Sequence, residues 1–366
     1  MTDTITIVHA ADFHLDSSFA GLNPQRASQR RAEQRELLSD VFALAERKKA
    51  DVILLAGDLL DSDNAYYETT EQLRQLCRES TARIFISPGN HDYFSQSSPY
   101  GAMVWPDNVH IFRSNRISGV EIPELNLRVY GAGFNRADSP AMLEGFRAQK
   151  DGMVNIMVIH GERGGATYNP ISDEQIEASG LDYLALGHTH SFSGIQKLGE
   201  TYYAYPGCPE GRGFDETGDK GVIAGTVSKG SVKLEFIPVS RRRYEIKTID
   251  LTGSDDHMLT ITDSLPDDTY PDIYRLVLTG ETEEAPDMEV LTAAFESRFY
   301  GLQIKDRTSR LVSIWDGENE QTLRGEFLTR LRKRWNAAES DEEKQQIELA
   351  VRFGLAALDR KEAPGA

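Results

Sequence analysis

Short hydrophobic runs recur along this chain, and five of them end in a polar cluster. The runs are Ile5 to Val8, Val52 to Ala56, Ile84 to Ile86, Ile156 to Ile159 and Leu184 to Leu186. They are too short for helices and rich in β-branched residues, so they read as buried strands. The clusters that follow are Asp12-Phe13-His14, Gly57-Asp58-Leu59-Leu60-Asp61, Gly89-Asn90-His91-Asp92, His160-Gly161 and Gly187-His188-Thr189-His190. In open α/β sheets, ligands and reactive groups lie beyond the carboxyl ends of strands. Five strand ends far apart in sequence can therefore deliver these residues to one place.

Between the runs the period changes. Arg30 to Lys48 carries Leu37, Leu38, Val41, Phe42 and Leu44 at helical spacing, and Glu68 to Arg78 reads as a second helix ahead of a strand at Arg83 to Ile86. Alternation of this kind predicts a mostly parallel sheet with helices packed on it. From about Asn108 the rhythm shifts: Val109 to Phe112 and Leu125 to Tyr130 read as strands with no helix between them. Strands at Val154 to Ile159 and Asp182 to Leu186 flank a short helix near Ser172 to Ala178. Three further strand-like runs, Thr201 to Tyr205, Gly221 to Val227 and Val232 to Val239, suggest a second sheet. The fold class expected is α/β (α+β), a four-layer α-β-β-α sandwich. Arg241-Arg242-Arg243 marks a domain edge, so residues 1–245 form the first domain. Strand, helix and strand at Tyr274 to Leu278, Glu289 to Tyr300 and Leu302 to Asp306 make a small α/β unit, 246–312. Residues 313–366 are expected to be helical: Leu323, Phe327, Leu331 and Trp335 recur every four residues with Leu328 beside them, and a second helix follows from Asp341 to about Leu358. Lys361 to Ala366 has no pattern and is expected to fray.

Composition narrows the class. With 366 residues and 39% hydrophobic content the chain can bury a sizeable core, and no apolar stretch approaches the ~18 residues of a membrane span. Met1-Thr2-Asp3-Thr4 lacks a basic stretch and leads directly into the first strand, so no secretory leader is expected. Cys77 and Cys208 alone argue for a reducing compartment, which makes a cytoplasmic protein the expectation. The net charge of −18 weighs against a phosphate-rich partner, but it is uneven: residues 251–300 hold twelve acidic residues against Arg275 and Arg298. An acidic metal site also counts as negative until its ions bind.

The five clusters supply five histidines, four aspartates and an asparagine, from a chain with eight histidines in all. Imidazole and carboxylate suit Mn, Fe and Zn, and the set is ample for two divalent cations sharing a carboxylate. In Asp12-Phe13-His14 and His188-Thr189-His190, alternate positions put two such side chains on one side of an extended segment. In their order the clusters resemble the calcineurin-like metallophosphoesterase superfamily, whose motifs run D-x-H, G-D-x-x-D, G-N-H-[D/E], H-G and G-H-x-H. Each motif alone is weak; all five in order, each behind a strand, are specific. The resemblance implies that Asp12, His14 and His190 hold one metal, that Asn90, His160 and His188 hold the other, and that Asp58 bridges them. It implies that His91 protonates the leaving alkoxide while Asp61 orients it, and that the metals are Mn²⁺, with Fe or Zn not excluded by the ligands.

Plainer roles suit the remaining residues. His9, His110 and His257 read as hydrogen-bonding histidines, His9 with a place beside the site. Asp16 and Asp63 read as caps or turn residues, and Asp92 as outer support for the ligands. Arg241 to Arg243 reads as a solvated face, and the stripe from Leu323 to Trp335 as core.

Within the superfamily, His9 to Ser17, Asp182 to His190, Tyr205-Pro206-Gly207 with Gly211-Arg212, and Phe299 to Thr308 are similar to the DNA repair exonuclease branch, in its YhaO-like group and more distantly its SbcD nuclease subunits. That resemblance implies a capping role for 246–312, a homodimer, DNA as substrate, and an SMC-like ATPase of the SbcC kind docked through 313–366, with Arg332-Lys333-Arg334 facing DNA or that partner. The expected function is a metal-dependent DNA phosphodiesterase, an exonuclease with endonuclease action open, serving repair or end processing. Two other readings stay open: a phosphoesterase for a small nucleotide or phosphorylated metabolite, and a DNA-end binding scaffold without turnover. The acidic 251–300 stretch and the short C-terminal part depart from the branch. They leave DNA contact to Arg298, Lys305, Arg307 and Arg310, or to a partner.

Overall fold

A computed structural model describes residues 4–19, 22, 24–62, 65–311 and 313–358. Asp63, the start of the chain at Met1 to Asp3 and the tail from Lys361 lie outside the described residues. By their contacts the residues fall into two compact units. One comprises the chain up to Ile246 with 268–275 and 296–302; the other comprises 247–267, 276–295 and the chain from 303 on.

The larger unit opens with strand β1 (Thr4–Ala10), helix α1 (Pro24–Lys48), β2 (Val52–Leu55), α2 (Tyr67–Glu79), β3 (Arg83–Ile86), the single turn α3 (Pro99–Ala102) and β4 (Val109–Ile111). It continues with β5 (Ser118–Ile122), β6 (Leu127–Gly131), β7 (Val154–His160), α4 (Asp173–Ala178), β8 (Tyr183–Gly187), β9 (Gln196–Leu198), β10 (Thr201–Ala204), β11 (Gly221–Ser228) and β12 (Ser231–Pro238). Two six-stranded sheets result, ordered β12-β11-β1-β2-β3-β4 and β5-β6-β7-β8-β10-β9. The run β1 to β4 is parallel, as is β6-β7-β8-β10, while antiparallel strands occupy the edges.

Side-chain alternation sorts each strand between two cores. Ile5, Ile7, Val52 and Leu54 meet Val129, Ile156, Val158 and Ala185 between the sheets. Val8, Ile53 and Leu55 pack outward on Leu38, Val41 and Phe42 of α1 and Leu73 of α2. The second sheet's outer face packs Met157, Ile159 and Leu184 on Ile176 of α4 and on the Met142-Leu143 loop. This is the expected α-β-β-α sandwich, with one reassignment. Of the three strand-like runs after residue 200, only Thr201–Ala204 joins the second sheet; β11 and β12 extend the first, β11 pairing antiparallel along β1. A strand's period fixes which faces it buries, while its partner is set by tertiary packing, so sequence alone could not place them.

Local signals explain the helix limits. Pro24 opens α1, where proline's missing N–H is no loss, six residues before Arg30, the start expected from the sequence. Ser172 and Gln175 close a capping box on α4. The hairpin strand β5 is new: it pairs antiparallel with β6 across a turn at Pro123–Leu125 and Asn126.

In the smaller unit and the segments leading to it lie β13 (Tyr244–Asp250), α5 (His257–Ser264), β14 (Ile273–Thr279), β15 (Glu281–Thr282), α6 (Met288–Phe295), β16 (Gly301–Asp306) and β17 (Ser309–Arg310), followed by α7 (Leu323–Ala337) and α8 (Asp341–Leu358). Strands β13, β14 and β16 form one sheet, β15 and β17 another. Helices α7 and α8 pair around Leu328, Val351 and Trp315, with Phe327, Leu331 and Trp335 against them. Four of the five predicted stripe positions are thus core, whereas Leu323 is exposed. Among the described residues no helix is long and apolar enough to cross a membrane.

Candidate metal centre

The loops after β1, β2, β3, β7 and β8 meet at one end of the sandwich. The loops after β1 and β2 stay paired beyond the sheet: Asp12 N donates to Gly57 O at 3.0 Å, His14 N to Asp58 O at 2.9 Å and Asp61 N to Leu15 O at 2.9 Å. To turn their side chains inward while keeping these bonds, Asp12, His14 and Asp58 adopt left-handed backbone, at φ 55°, 45° and 49°, and His188 sits at φ 110°. Such conformations are costly for residues with a Cβ and gather at functional sites. The Asp92 carboxylate holds the β2 loop, accepting the backbone N–H groups of Asp58, Leu59, Leu60 and Gly89 and the Tyr100 hydroxyl.

All nine residues singled out from the sequence surround one pocket. Asp12, His14 and His190 form one group whose ligand atoms lie within 4.8 Å of one another, and Asp12, Asp58 and His160 form a second. Asn90 Oδ1 stands 3.0 Å from His160 Nε2 and 3.3 Å from His188 Nδ1. Between the two sides lies Asp58 Oδ2, 3.7 Å from His14 Nε2 and 3.4 Å from His160 Nε2.

The opposite nitrogen of each histidine is directed at an acceptor. His14 Nδ1 is 3.0 Å from Asp61 Oδ1, His190 Nδ1 is 2.6 Å from Glu216 Oε1, and His160 Nδ1 is 2.9 Å from Ala56 O. His188 Nε2 has Glu162 Oε2 at 3.8 Å. A ring nitrogen that donates outward leaves its partner with a lone pair pointing in, the arrangement that orients metal-ligating histidines. Those inward nitrogens crowd together: His14 Nε2 and His190 Nε2 are 3.2 Å apart, and His160 Nε2 and His188 Nδ1 3.3 Å.

Electrostatics agree with this donor set. Burial and the charge of Asp58 push the Asp12 carboxyl well above its ordinary range, and burial with Asp58 raises Asp92 also. Burial works to raise Asp58 too, but His160, His14 and His91 beside it bring it below the usual value. Burial lowers His14 and His188 to about 4, so both are neutral near pH 7. Neutral imidazoles beside the two buried carboxylates of Asp12 and Asp58 suit divalent cations.

His91 differs from the buried histidines. Its side chain is 45% exposed, its Nδ1 faces Asp61 O at 3.4 Å and Asp61 Oδ1 at 3.8 Å, and its backbone N–H donates to Asp58 Oδ1 at 2.9 Å. Asp61 lies nearer to His14 than to His91, and Arg212 Nη1 approaches the same oxygen at 3.4 Å.

His9 is a core histidine: it spans the gap between the sheets, bonding the Tyr183 hydroxyl at 2.9 Å and Leu186 O at 3.1 Å. Asp16 accepts from Tyr66 N and Thr69 Oγ1 at the start of α2. His110 lies against Phe85 and Phe112, and His257 opens α5. The three consecutive arginines are paired, not merely solvated. Arg241 meets Glu36 and Asp40, Arg242 meets Glu33 and stacks on Tyr300, and Arg243 meets Asp272. Sequence reading missed Glu216, Glu162 and the role of Arg212. Arg212 follows Gly211 in a stretch similar to the exonuclease branch, but nothing local marks Glu216.

The calcineurin-like phosphoesterase family pattern matches residues 5–192. The chain belongs to that family of metal-dependent phosphoesterases. It is 31% identical over 315 residues to the uncharacterized metallophosphoesterase YhaO of Bacillus subtilis, covering 78% of this chain and 74% of that one. It is 24% identical over 277 residues to the DNA double-strand break repair protein Mre11 of Methanopyrus kandleri, covering 68% of this chain and 59% of that one.

Proposed function

We propose that the chain is a metal-dependent DNA phosphodiesterase, an exonuclease by preference, that processes DNA ends for repair. One observation carries the metal centre on which this rests: four histidines direct one nitrogen each into a shared pocket, on either side of the Asp58 carboxylate. Asp12, His14 and His190 would hold one divalent ion and Asn90, His160 and His188 the other, with Asp58 between them; Mn²⁺ is the ion proposed. Two such ions supply Lewis acidity at the phosphoryl oxygens and hydroxide near neutral pH.

The chain's own residues do the rest. His91 is open to a bound substrate, and with Nδ1 turned to Asp61 it offers Nε2 to the leaving oxygen. Proton donation there suits an alkoxide, a poor leaving group, and is worth roughly 10²–10⁴-fold in rate. Asp61 stabilises the imidazolium before transfer.

DNA as substrate draws on the double-strand break repair relative and on the motifs shared with the nuclease branch. Because Arg241 to Arg243 are neutralised by carboxylates, phosphate contacts fall to Arg298, Lys305, Arg307 and Arg310, or to a partner. The capping role of 246–312, a homodimer, an SMC-like ATPase docked on 313–366 and a cytoplasmic setting belong to the same proposal. The neutralised arginines also favour a second reading, a small nucleotide as substrate.

End-labelled linear DNA incubated with Mn²⁺ or with EDTA, beside His91→Ala, tests the proposal. Metal-dependent laddering that the variant loses is expected. Intact DNA alongside hydrolysis of nucleotides would select the small-substrate reading, and metal binding without hydrolysis of either would select the scaffold.

A further inference from the structure

Two groups meet the same nitrogen of His190. Its Nδ1 lies 2.6 Å from Glu216 Oε1 and 3.3 Å from Arg212 Nη2. Arginine carries only N–H donors, and an ionised carboxylate only acceptors. A neutral imidazole has one ring proton, so the group at Nδ1 decides what Nε2 presents. With Glu216 there, Nδ1 donates outward and the Nε2 lone pair faces Asp12, 3.9 Å away, and His14, 3.2 Å away. With the guanidinium alone, an Arg212 N–H would donate to the Nδ1 lone pair. The ring proton would then sit on Nε2, pointing into the pocket where a cation belongs.

We propose that Glu216 is a positioning residue that holds His190 in the metal-ligating tautomer against the competing guanidinium of Arg212. This rests on the reading of His190 as a metal ligand. The placement is built: Glu216 is buried, and beside the imidazole it accepts Arg212 N at 2.7 Å and Arg212 Nη2 at 2.9 Å. Arg212 also reaches Asp61 Oδ1 at 3.4 Å, the oxygen that stands at His14 Nδ1. One guanidinium thus braces the two carboxylates behind the facing pair His14 and His190. Arg212 is useful only while Glu216 intervenes, and that makes the two residues' effects non-additive.

Calorimetric titration of the full chain with Mn²⁺ tests this, on wild type, Glu216→Ala, Arg212→Met, the double variant and His190→Ala. Glu216→Ala is expected to bind roughly 10–100-fold more weakly, the scale of a lost outer partner. Adding Arg212→Met should restore at least about 3-fold of that loss, because the competing donor is gone. Circular dichroism follows the fold of each variant. If Glu216→Ala does not fold, the isosteric Glu216→Gln with and without Arg212→Met takes its place, with an expected loss of about 3–10-fold. Wild-type affinity in the Glu216 variant, or a double variant no better than the single, overturns the inference. A His190→Ala variant that binds as wild type would instead remove the metal-ligand reading beneath it.

Discussion

His14 and His190, 176 positions apart in the chain, face each other with their Nε2 atoms 3.2 Å apart. Each has its other ring nitrogen against a carboxylate, Asp61 and Glu216 respectively. With both rings in the tautomer that donates to its carboxylate, both inward nitrogens present lone pairs, which repel until a cation takes them as ligands. The left-handed backbone at Asp12, His14 and Asp58 holds this arrangement in place.

Gly89 is packed against that arrangement. A Cβ there would stand 2.2 Å from Asp58 Oδ1 and 2.7 Å from Asp58 N. Gly89→Ala is expected to displace the Asp58 carboxylate and weaken Mn²⁺ binding by at least about 10-fold. Calorimetry with circular dichroism as a control checks it; an unchanged affinity in a folded variant would show that Asp58 need not stay where it is.

The role of His91 predicts a dependence on the leaving group. An alkoxide needs a proton and nitrophenolate does not, so His91→Ala should slow DNA cleavage by roughly 10²–10⁴-fold. Cleavage of bis(p-nitrophenyl) phosphate should suffer far less. Equal losses on both substrates would assign His91 to binding or to the metal, not to proton donation.

Arg30 links α1 to the loop that carries Arg212. It is fully buried, pairs with Glu33 and Glu210, and donates to Gly211 O at 3.2 Å. Arg30→Ala leaves Glu210 buried without its cation, a change that costs about 3–5 kcal/mol. Urea denaturation measures it, and a loss below about 1 kcal/mol would mean that Arg241 N–H or water satisfies Glu210 instead.

His9 predicts an acid limb of stability. Burial lowers it from 6.5 to about 3, against the smaller opposing effect of its bond to Leu186 O. The unfolded chain takes up this proton near pH 6.5 and the folded one does not until about pH 3. Stability from His9 is therefore complete above pH 6.5 and falls as pH drops through that window, by up to ~1.4 kcal/mol per pH unit. Urea midpoints in EDTA at pH 7 and 5.5 should fall less steeply for His9→Leu than for wild type. Parallel slopes would mean that His9 takes a proton while folded.

The strands behind the site were legible because each is a dense apolar run stopped by a polar cluster, and α8, Asp341–Leu358, was legible to its ends. What stayed hidden depends on distant partners. Nothing within β11 says that it pairs with β1, since Ile223 beside His9 looks like any buried strand residue. Glu216 lies 26 residues from His190 in a loop without periodicity, and only the folded chain puts its carboxylate on that ring. The ion pairs of Arg241 and Arg242 are likewise formed with α1, some 200 residues earlier, and Arg243 finds Asp272 further along the chain.

A two-ion centre formed by five strand-end loops must show in the amount of metal that the protein holds. Elemental analysis of protein equilibrated with Mn²⁺ and freed of unbound ion should give about two ions per chain, and fewer for Asp58→Ala, which removes the carboxylate between the two sides. A wild type that cleaves phosphodiesters with no stoichiometric metal, or an Asp58→Ala that retains both ions, would contradict the account.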